Sequence, residues 1–323
     1  MRIVGAVYAL PNWQLPASAV ERIRREVPDA SVVHATSDEE LVEAIRDADA
    51  ALLTRLSPEQ FACSSRLRWI HSAAAGVGRL LFPALAESDV VLTNSRGIHG
   101  VTMAEHVIGV TLALLRSFPA VVRDQTAHHW PFTDLKAIRL LHGRHMVVVG
   151  LGAIGSAVAK AASALGMRVS GVRKHPEALL PDGVQTVKGP DGLLALLREA
   201  DVVVLAAPLT SETRALIGRR ELTVMKPTAL LVNVARGKLV DQRALETALA
   251  GGAIGGAALD VVEHEPLGPA SPLWDMPNVL ITPHTAGFRE DYWDAVVDIF
   301  VENARRLAAG QPLLNVVDKG AGY

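Results

Sequence analysis

The sequence predicts an α/β fold of two open parallel sheets, one domain inserted into the chain of the other. Three observations carry that expectation. Short apolar runs alternate with helical patterns along most of the chain, as they do where crossover helices join parallel strands. A glycine triplet, Gly150-x-Gly152-x-x-Gly155, stands between an apolar run that starts at Met146 and an alanine-rich helical run. The length, 323 residues, exceeds the ~250–300 at which single cores stop growing.

Arg2–Val7 reads as the first strand and Ser18–Glu26 as a helix whose Arg22, Arg24 and Arg25 face solvent. Ser31–His34 is a short strand. Ser37 then offers an N-cap, and Asp38, Glu39 and Glu40 an acidic first turn, to the helix Glu40–Arg46. Ala50–Thr54, Leu67–His71 and Val90–Thr93 follow as strands. From Val101 to about Ala120 runs a helical pattern ending near Phe118-Pro119 and apolar nearly all round, so burial between the domains is expected. Val122–Ile138, with His128-His129-Trp130-Pro131, has no period and reads as loop.

Beyond the glycines, Arg168–Val172 is a strand, Gly192–Glu199 a helix, Asp201–Ala206 a strand and Glu212–Ile217 a short helix. Leu230–Val234 is a strand, Asp241–Ala250 a helix, and Gly255–Val261 and Val279–Ile281 the last strands. The amphipathic Tyr292–Ala309 follows, with a tail, Pro312–Val317, expected to return to the first domain. The expected boundaries are therefore 1–99 with 287–323 for the discontinuous domain and 100–286 for the inserted one.

Half the residues are hydrophobic and 20% charged, which suits two apolar cores under a polar surface. A net charge of −2 gives no electrostatic case for nucleic acid or membrane as a partner. Cys63, the single cysteine, cannot form an internal disulfide, and no Cys/His cluster has zinc spacing, so no metal is expected and a reducing cytoplasm is. Arg2, the apolar Ile3–Leu10 and the small Ala17-Ser18-Ala19 imitate a signal peptide. Pro11, Asn12 and Gln14 interrupt it, and a first strand accounts for Ile3–Leu10 as well. No apolar run reaches the ~18 residues of a membrane span.

The glycine spacing has a chemical reading. The first glycine allows a tight turn, the second lets a pyrophosphate approach the backbone, and the third lets helix and strand pack closely. The helix then turns unpaired N–H groups and its positive dipole end toward phosphate. The structural alternative is a tight turn with no ligand. Ligands on open α/β sheets bind beyond the carboxyl ends of the strands. Three strands end in chemistry-bearing residues there: Arg236 after Leu231-Val232-Asn233-Val234-Ala235, Asp260 with Glu263-His264-Glu265-Pro266, and His284 after Thr282-Pro283. Singly they read as a salt bridge, a solvated loop acid and a satisfied histidine. Together they should converge.

These motifs resemble those of the D-isomer-specific 2-hydroxyacid dehydrogenases, the family that includes glyoxylate/hydroxypyruvate reductases. The matching segments are Thr93-Asn94-Ser95-Arg96-Gly97, Met103-Ala104-Glu105-His106, the glycine turn, Val232 to Gly237, Ala258-Leu259-Asp260-Val261 with Glu265-Pro266, and Thr282-Pro283-His284. The resemblance implies a Rossmann cofactor domain inserted in a flavodoxin-like substrate domain, an active site in the cleft between them, and a homodimer. It further implies reduction of a small 2-oxo acid. Arg236 would hold the substrate's carboxylate and carbonyl with its planar fork. His284 would donate a proton to the carbonyl oxygen, and Glu265, preferred over Glu263 because it directly precedes the proline, would hold the imidazole. Asp260 resembles the residue that grips the nicotinamide carboxamide, and Thr102 would face the nicotinamide. Ala153, Ile154, Ala207, Pro208, Val234 and Ala235 join Gly150, Gly152 and Gly155 as implied cofactor contacts.

In the first domain, the resemblance implies that the loop Ala75-Gly76-Val77-Gly78 gives backbone N–H groups to the substrate carboxylate, which makes Gly76 and Val77 candidates; many relatives carry an acid where Gly78 stands. Arg55, past a strand end, is either a second substrate contact or a surface salt bridge. His71, His99 and His106 read as structural histidines. Arg173 stands where NAD-dependent members carry aspartate, and Lys174 follows it, so NADP(H) is the expected cofactor, with NAD(H) as the alternative. Formate dehydrogenases have glutamine in place of Glu265, which argues against them. Phosphoglycerate dehydrogenase stays open, although no added regulatory domain follows, as does a dinucleotide-responsive corepressor, a class that retains the same three residues.

Overall fold

A computed structural model describes residues 1–8, 13–130 and 138–322. Pro11, Asn12 and Pro131, which figure in the expectations above, lie outside the described residues. The chain forms two compact units, Met1–Ile98 with Arg289–Tyr323, and His99–Phe288.

In the first unit the chain runs β1 (Arg2–Ala6), α1 (Ala17–Glu26), β2 (Ser31–His34), α2 (Asp38–Ile45), β3 (Ala50–Leu53), α3 (Pro58–Ala62), β4 (Trp69–Ser72), α4 (Pro83–Ala86) and β5 (Val91–Asn94). The strands form a five-stranded sheet in the order β2-β1-β3-β4-β5, parallel throughout. That is the flavodoxin-like order. Side chains alternate between the faces: Ile3, Ala50, Leu52 and Trp69 enter one apolar core, and Val4, Ala51, Leu53 and Ile70 the other. Both faces are covered, as parallel sheets require. The Ser37 hydroxyl accepts from the Glu40 N–H and caps α2 as its sequence predicts. The tail closes on β5, where Val317 donates its N–H to the Leu92 carbonyl at 2.8 Å.

The second unit runs α5 (Gly100–Leu115), α6 (Phe118–Thr126), β6 (His145–Val149), α7 (Ala153–Ala164), β7 (Arg168–Val172), β8 (Thr186–Lys188), α8 (Leu193–Glu199), β9 (Val202–Leu205), α9 (Arg219–Val224), β10 (Leu230–Asn233), α10 (Gln242–Ala250), β11 (Gly256–Leu259) and β12 (Val279–Ile281). A final helix, α11 (Tyr292–Ala308), belongs to the first unit. The second sheet is also parallel, seven strands in the order β12-β11-β10-β9-β6-β7-β8. From β8 to β11 it follows the doubly wound Rossmann order, with its reversal between β6 and β9.

Four local expectations are corrected. The long helix stops at Leu115, and Phe118-Pro119 opens α6 rather than closing α5. Pro119 stands in the first turn, where its missing N–H costs no helical bond. Ser117 takes a left-handed conformation (φ 58°), and the chain bends by 68° between the two helices. Val122–Thr126, read as loop, is therefore helical. The helix expected over Glu212–Ile217 is instead a turn, with Ala215 at φ 50°. Its hydroxyls compete with the backbone: the N–H of Thr210 donates to Thr213 Oγ1 at 2.7 Å, and that hydroxyl donates to the Pro208 carbonyl at 2.7 Å. Finally, α5 is not buried all round. Met103, Ala104, Val107, Val110, Leu114 and Leu115 are buried, while Val101 is 69% exposed. No single helix among the described residues is long and apolar enough to cross a membrane.

Candidate active site

The glycine turn joins β6 to α7 at the carboxyl edge of the second sheet, beside the order reversal. Gly150 is left-handed (φ 95°), and a Cβ there would lie 2.6 Å from the Ala207 nitrogen just past β9. A Cβ on Gly155 would lie 1.9 Å from the Gly150 carbonyl oxygen, so strand and helix meet there with no room for a side chain. Gly152 differs: a Cβ there would meet nothing within 4 Å. Two glycines are thus required by the turn itself, and the third faces open space at the N-terminus of a twelve-residue helix. Ala153 and Ile154 supply backbone N–H groups of that first turn.

Arg173 directly follows β7. Its guanidinium donates to the carbonyls of Ala178 and Leu179, the latter at 3.1 Å. Its Nε is buried with no hydrogen-bond partner among the described residues. Lys174 is paired with Glu212 at 3.1 Å. An open glycine face, a free helix N-terminus and a buried unsatisfied guanidinium nitrogen fit a phosphate-bearing dinucleotide. Ala207 and Pro208 follow β9, and Val234 and Ala235 follow β10, so both pairs share this sheet edge. Thr102 lies half-buried in the first turn of α5.

The three chemistry-bearing residues follow three adjacent strands, β10, β11 and β12. Behind Arg236, the buried Asn233 amide fixes the turn: its Nδ2 donates to the Arg236 carbonyl at 3.0 Å and its Oδ1 accepts from the Ala235 N–H at 3.1 Å. A Cβ on Gly237 would lie 1.9 Å from the Val262 carbonyl oxygen, so this turn packs against the loop that carries Glu265. The Arg236 side chain is exposed and donates to the Ala235 carbonyl at 2.6 Å.

His284 and Glu265 meet. The imidazole Nδ1 lies 2.7 Å from Glu265 Oε2, whose other oxygen accepts from the Val262 N–H at 3.3 Å. His284 Nε2 has no hydrogen-bond partner among the described residues. Glu263 is held elsewhere, its N–H donating to Gln242 Oε1 at 3.1 Å. The backbone of His284 is left-handed (φ 57°), which costs a non-glycine residue on the order of 1–2 kcal/mol. Asp260, 4% exposed, gathers the surrounding chain. Its Oδ1 accepts from Thr282 Oγ1 at 2.6 Å and from the Thr285 N–H at 2.8 Å, and its Oδ2 from the Ala286 N–H at 3.1 Å.

The remaining candidates lie in the first unit. Arg55 is paired with Asp38 at 3.1 Å and lies over the Tyr8 ring, the salt-bridge alternative that its sequence left open. Burial and the Asp38 carboxylate push the Tyr8 phenol up to about 12. Gly76 is exposed and Val77 buried, and neither gives its backbone N–H to another described residue. His71, His99 and His106 are all hydrogen-bonded within the protein. Asn233 and Thr282 stand inside motifs the sequence shows, but it does not show their roles, since the bonds of Asn233 to Ala235 and Arg236 and of Thr282 to Asp260 and His106 form only in the fold.

Known proteins resemble this chain in sequence and in fold. A sequence model described as "D-isomer specific 2-hydroxyacid dehydrogenase, NAD binding domain" matches residues 108–286. A D-3-phosphoglycerate dehydrogenase of Methanocaldococcus jannaschii is 34% identical over 92% of the chain, which spans only 57% of that longer protein. A glyoxylate reductase of Korarchaeum cryptofilum is 34% identical over 86% of this chain and 85% of its own. Among solved structures, an NADPH-dependent glyoxylate/hydroxypyruvate reductase of Sinorhizobium meliloti in complex with NADP and sulfate superposes with a TM-score of 0.84. It is 28% identical and covers 100% of this chain and 99% of its own.

Proposed function

The chain belongs to the D-isomer-specific 2-hydroxyacid dehydrogenases, and from that premise we propose that it reduces a small 2-oxo acid, glyoxylate or hydroxypyruvate first, to the D-2-hydroxy acid, with NADPH preferred over NADH. The observation that carries the reading is the His284–Glu265 contact at 2.7 Å, which engages Nδ1 and leaves Nε2 to serve a substrate. Nε2 gives its proton to the carbonyl oxygen as the carbonyl carbon is reduced, and Glu265 steadies the imidazole. Arg236 binds the carboxylate and the adjacent carbonyl oxygen through its fork of donors, which also polarises the carbonyl. Gly76 and Val77, through their backbone N–H groups, and Arg55 are further candidates for binding substrate. The glycine turn, Ala153, Ile154, Ala207, Pro208, Val234, Ala235, Thr102 and Asp260 would hold the dinucleotide, whose nicotinamide supplies hydride when bound.

The cofactor preference rests on Arg173. An NAD-binding unit places a carboxylate near this strand end to accept from the ribose hydroxyls. A 2′-phosphate brings roughly two negative charges, which a guanidinium attracts and a carboxylate repels. The S. meliloti neighbour was solved with NADP, whereas the matching family model is described by NAD binding, so the choice rests on this chain's own residue. A second reading, oxidation of D-3-phosphoglycerate, draws on the M. jannaschii relative. One panel tests all of it: glyoxylate, hydroxypyruvate and other 2-oxo acids with NADPH and with NADH, and D-3-phosphoglycerate with both oxidised cofactors. Highest kcat/KM for glyoxylate or hydroxypyruvate with NADPH is expected. Preference for D-3-phosphoglycerate selects the second reading, and higher efficiency with NADH refutes the cofactor assignment.

A further inference from the structure

The stretch around His284 is over-determined, and its anchor reaches back to α5. Asp260 accepts from the chain on both sides of His284: from the Thr282 hydroxyl two residues before it, and from the Thr285 and Ala286 N–H groups after it. The His284 N–H itself donates to the carbonyls of Asp260 and Thr282, both at 2.9 Å. These bonds hold the left-handed residue whose ring meets Glu265. Thr282 is the pivot. Its one hydroxyl hydrogen goes to Asp260 Oδ1 at 2.6 Å, so toward His106 Nε2, 3.3 Å away, the oxygen can only accept. His106 Nε2 must therefore carry a hydrogen. Burial, partly offset by the Asp260 charge, lowers the affinity of His106 for a second proton.

We propose that His106 is a positioning residue for proton donation: the relay His106 Nε2–H to Thr282 Oγ1–H to Asp260 Oδ1 locks the Asp260 carboxylate in the rotamer that sets the His284 turn and so aims its imidazole at Glu265. The bond from Thr282 to Asp260 is charge-assisted, and donation by His106 strengthens it by polarising the hydroxyl. Without that donor, Asp260 loses part of its grip and the left-handed turn relaxes toward ordinary backbone geometry. A misplacement of about 1 Å at a reacting group costs on the order of 10²-fold in rate. The proposal rests on reading His284 as the proton donor.

The test uses His106→Leu, His106→Gln, Thr282→Val and Thr282→Ser in the full chain. Leucine keeps apolar bulk without a donor, and glutamine restores an N–H at similar reach; valine removes the hydroxyl, and serine keeps it. With glyoxylate and saturating NADPH, kcat should fall roughly 10–100-fold in His106→Leu and Thr282→Val. Glutamine and serine should recover most of the rate, and the Leu/Val double variant should be no worse than Thr282→Val alone. Wild-type kcat in His106→Leu, or additive losses in the double variant, would overturn the proposal. Should His106→Leu not fold, the valine and serine pair decides it. A readout independent of turnover is the low-field proton resonance of the His284 Nδ1–H bonded to Glu265, observed in histidine-labelled protein without substrate. It should broaden or vanish in the leucine and valine variants and persist in the other two; persistence in all four overturns the relay. A wild type inactive on every oxo acid defeats the functional reading instead, and the resonance still decides whether His106 sets the ring.

Discussion

At the scale of single residues, His284 carries the most. Its replacement by alanine should lower turnover by roughly 10²–10⁴-fold while the NADPH dissociation constant, from fluorescence titration, stays near wild type. Equal turnover would remove His284 from the chemistry. Arg236→Lys keeps the charge but loses the planar fork, so KM for the oxo acid should rise and kcat fall; an effect confined to cofactor binding would reassign Arg236 to the dinucleotide. Much of this was legible in residue order, since each candidate follows a strand end and such ends line up at one sheet edge. The adjoining proline singled out Glu265, and it is Glu265 that lies 2.7 Å from His284. What could not be read was support. Thr282 meets His106 across 176 residues of sequence, and no local pattern reports such a bond.

Among elements, the turn from β6 into α7 separates two uses of glycine. Gly155→Ala drives a methyl into the Gly150 carbonyl, so helix and strand must part and stability should fall by about 1–3 kcal/mol or more, the usual cost of forcing extra bulk into a packed site. Gly152→Ala meets no protein atom and keeps an ordinary backbone angle (φ −78°), so its unfolding midpoint in urea should match wild type while its affinity for NADPH drops. If Gly152→Ala bound NADPH normally, the open face would not be where the pyrophosphate approaches. The turn was readable because three glycines at fixed spacing have few alternatives between a strand and a helix. Helix ends were harder. Pro119 signals a stop and a start equally well, and only the left-handed Ser117 settles that a second helix begins there. The Thr210–Thr213 hydroxyl pairing likewise overrides a segment whose composition favours helix.

For the whole molecule, acid stability should be set first by a histidine far from the chemistry in sequence. His71 on β4 is fully buried, stacked edge-on against Trp69 and Phe300. Its neutral form is satisfied on both sides. Trp69 Nε1 donates to Thr93 Oγ1, whose hydrogen is free for His71 Nδ1 at 2.7 Å; Ser95 gives its own hydrogen to the Ser72 carbonyl and accepts from His71 Nε2 at 3.1 Å. Burial pushes the imidazole down to about 3 from its ordinary 6.5. Below pH ~6.5 the unfolded chain therefore binds a proton that the folded chain refuses, and stability is fully present above that pH and lost as pH falls toward 3. The slope approaches about 1.4 kcal/mol per pH unit. Asp49 and Asp201, held below the usual carboxylate range by hydrogen bonds from backbone and basic partners, add their loss only at lower pH. Between pH 6.5 and 4.5 the histidines dominate, with His145 and His106, also lowered by burial, as smaller contributors. Urea unfolding of wild type across pH 7.5 to 4.5, followed by tryptophan fluorescence, should show this decline, and His71→Asn should flatten it by about one proton's worth whatever its absolute stability. An unaltered slope in the variant would mean that His71 takes up its proton in the folded state and that the buried pairing on β4 tolerates the charge.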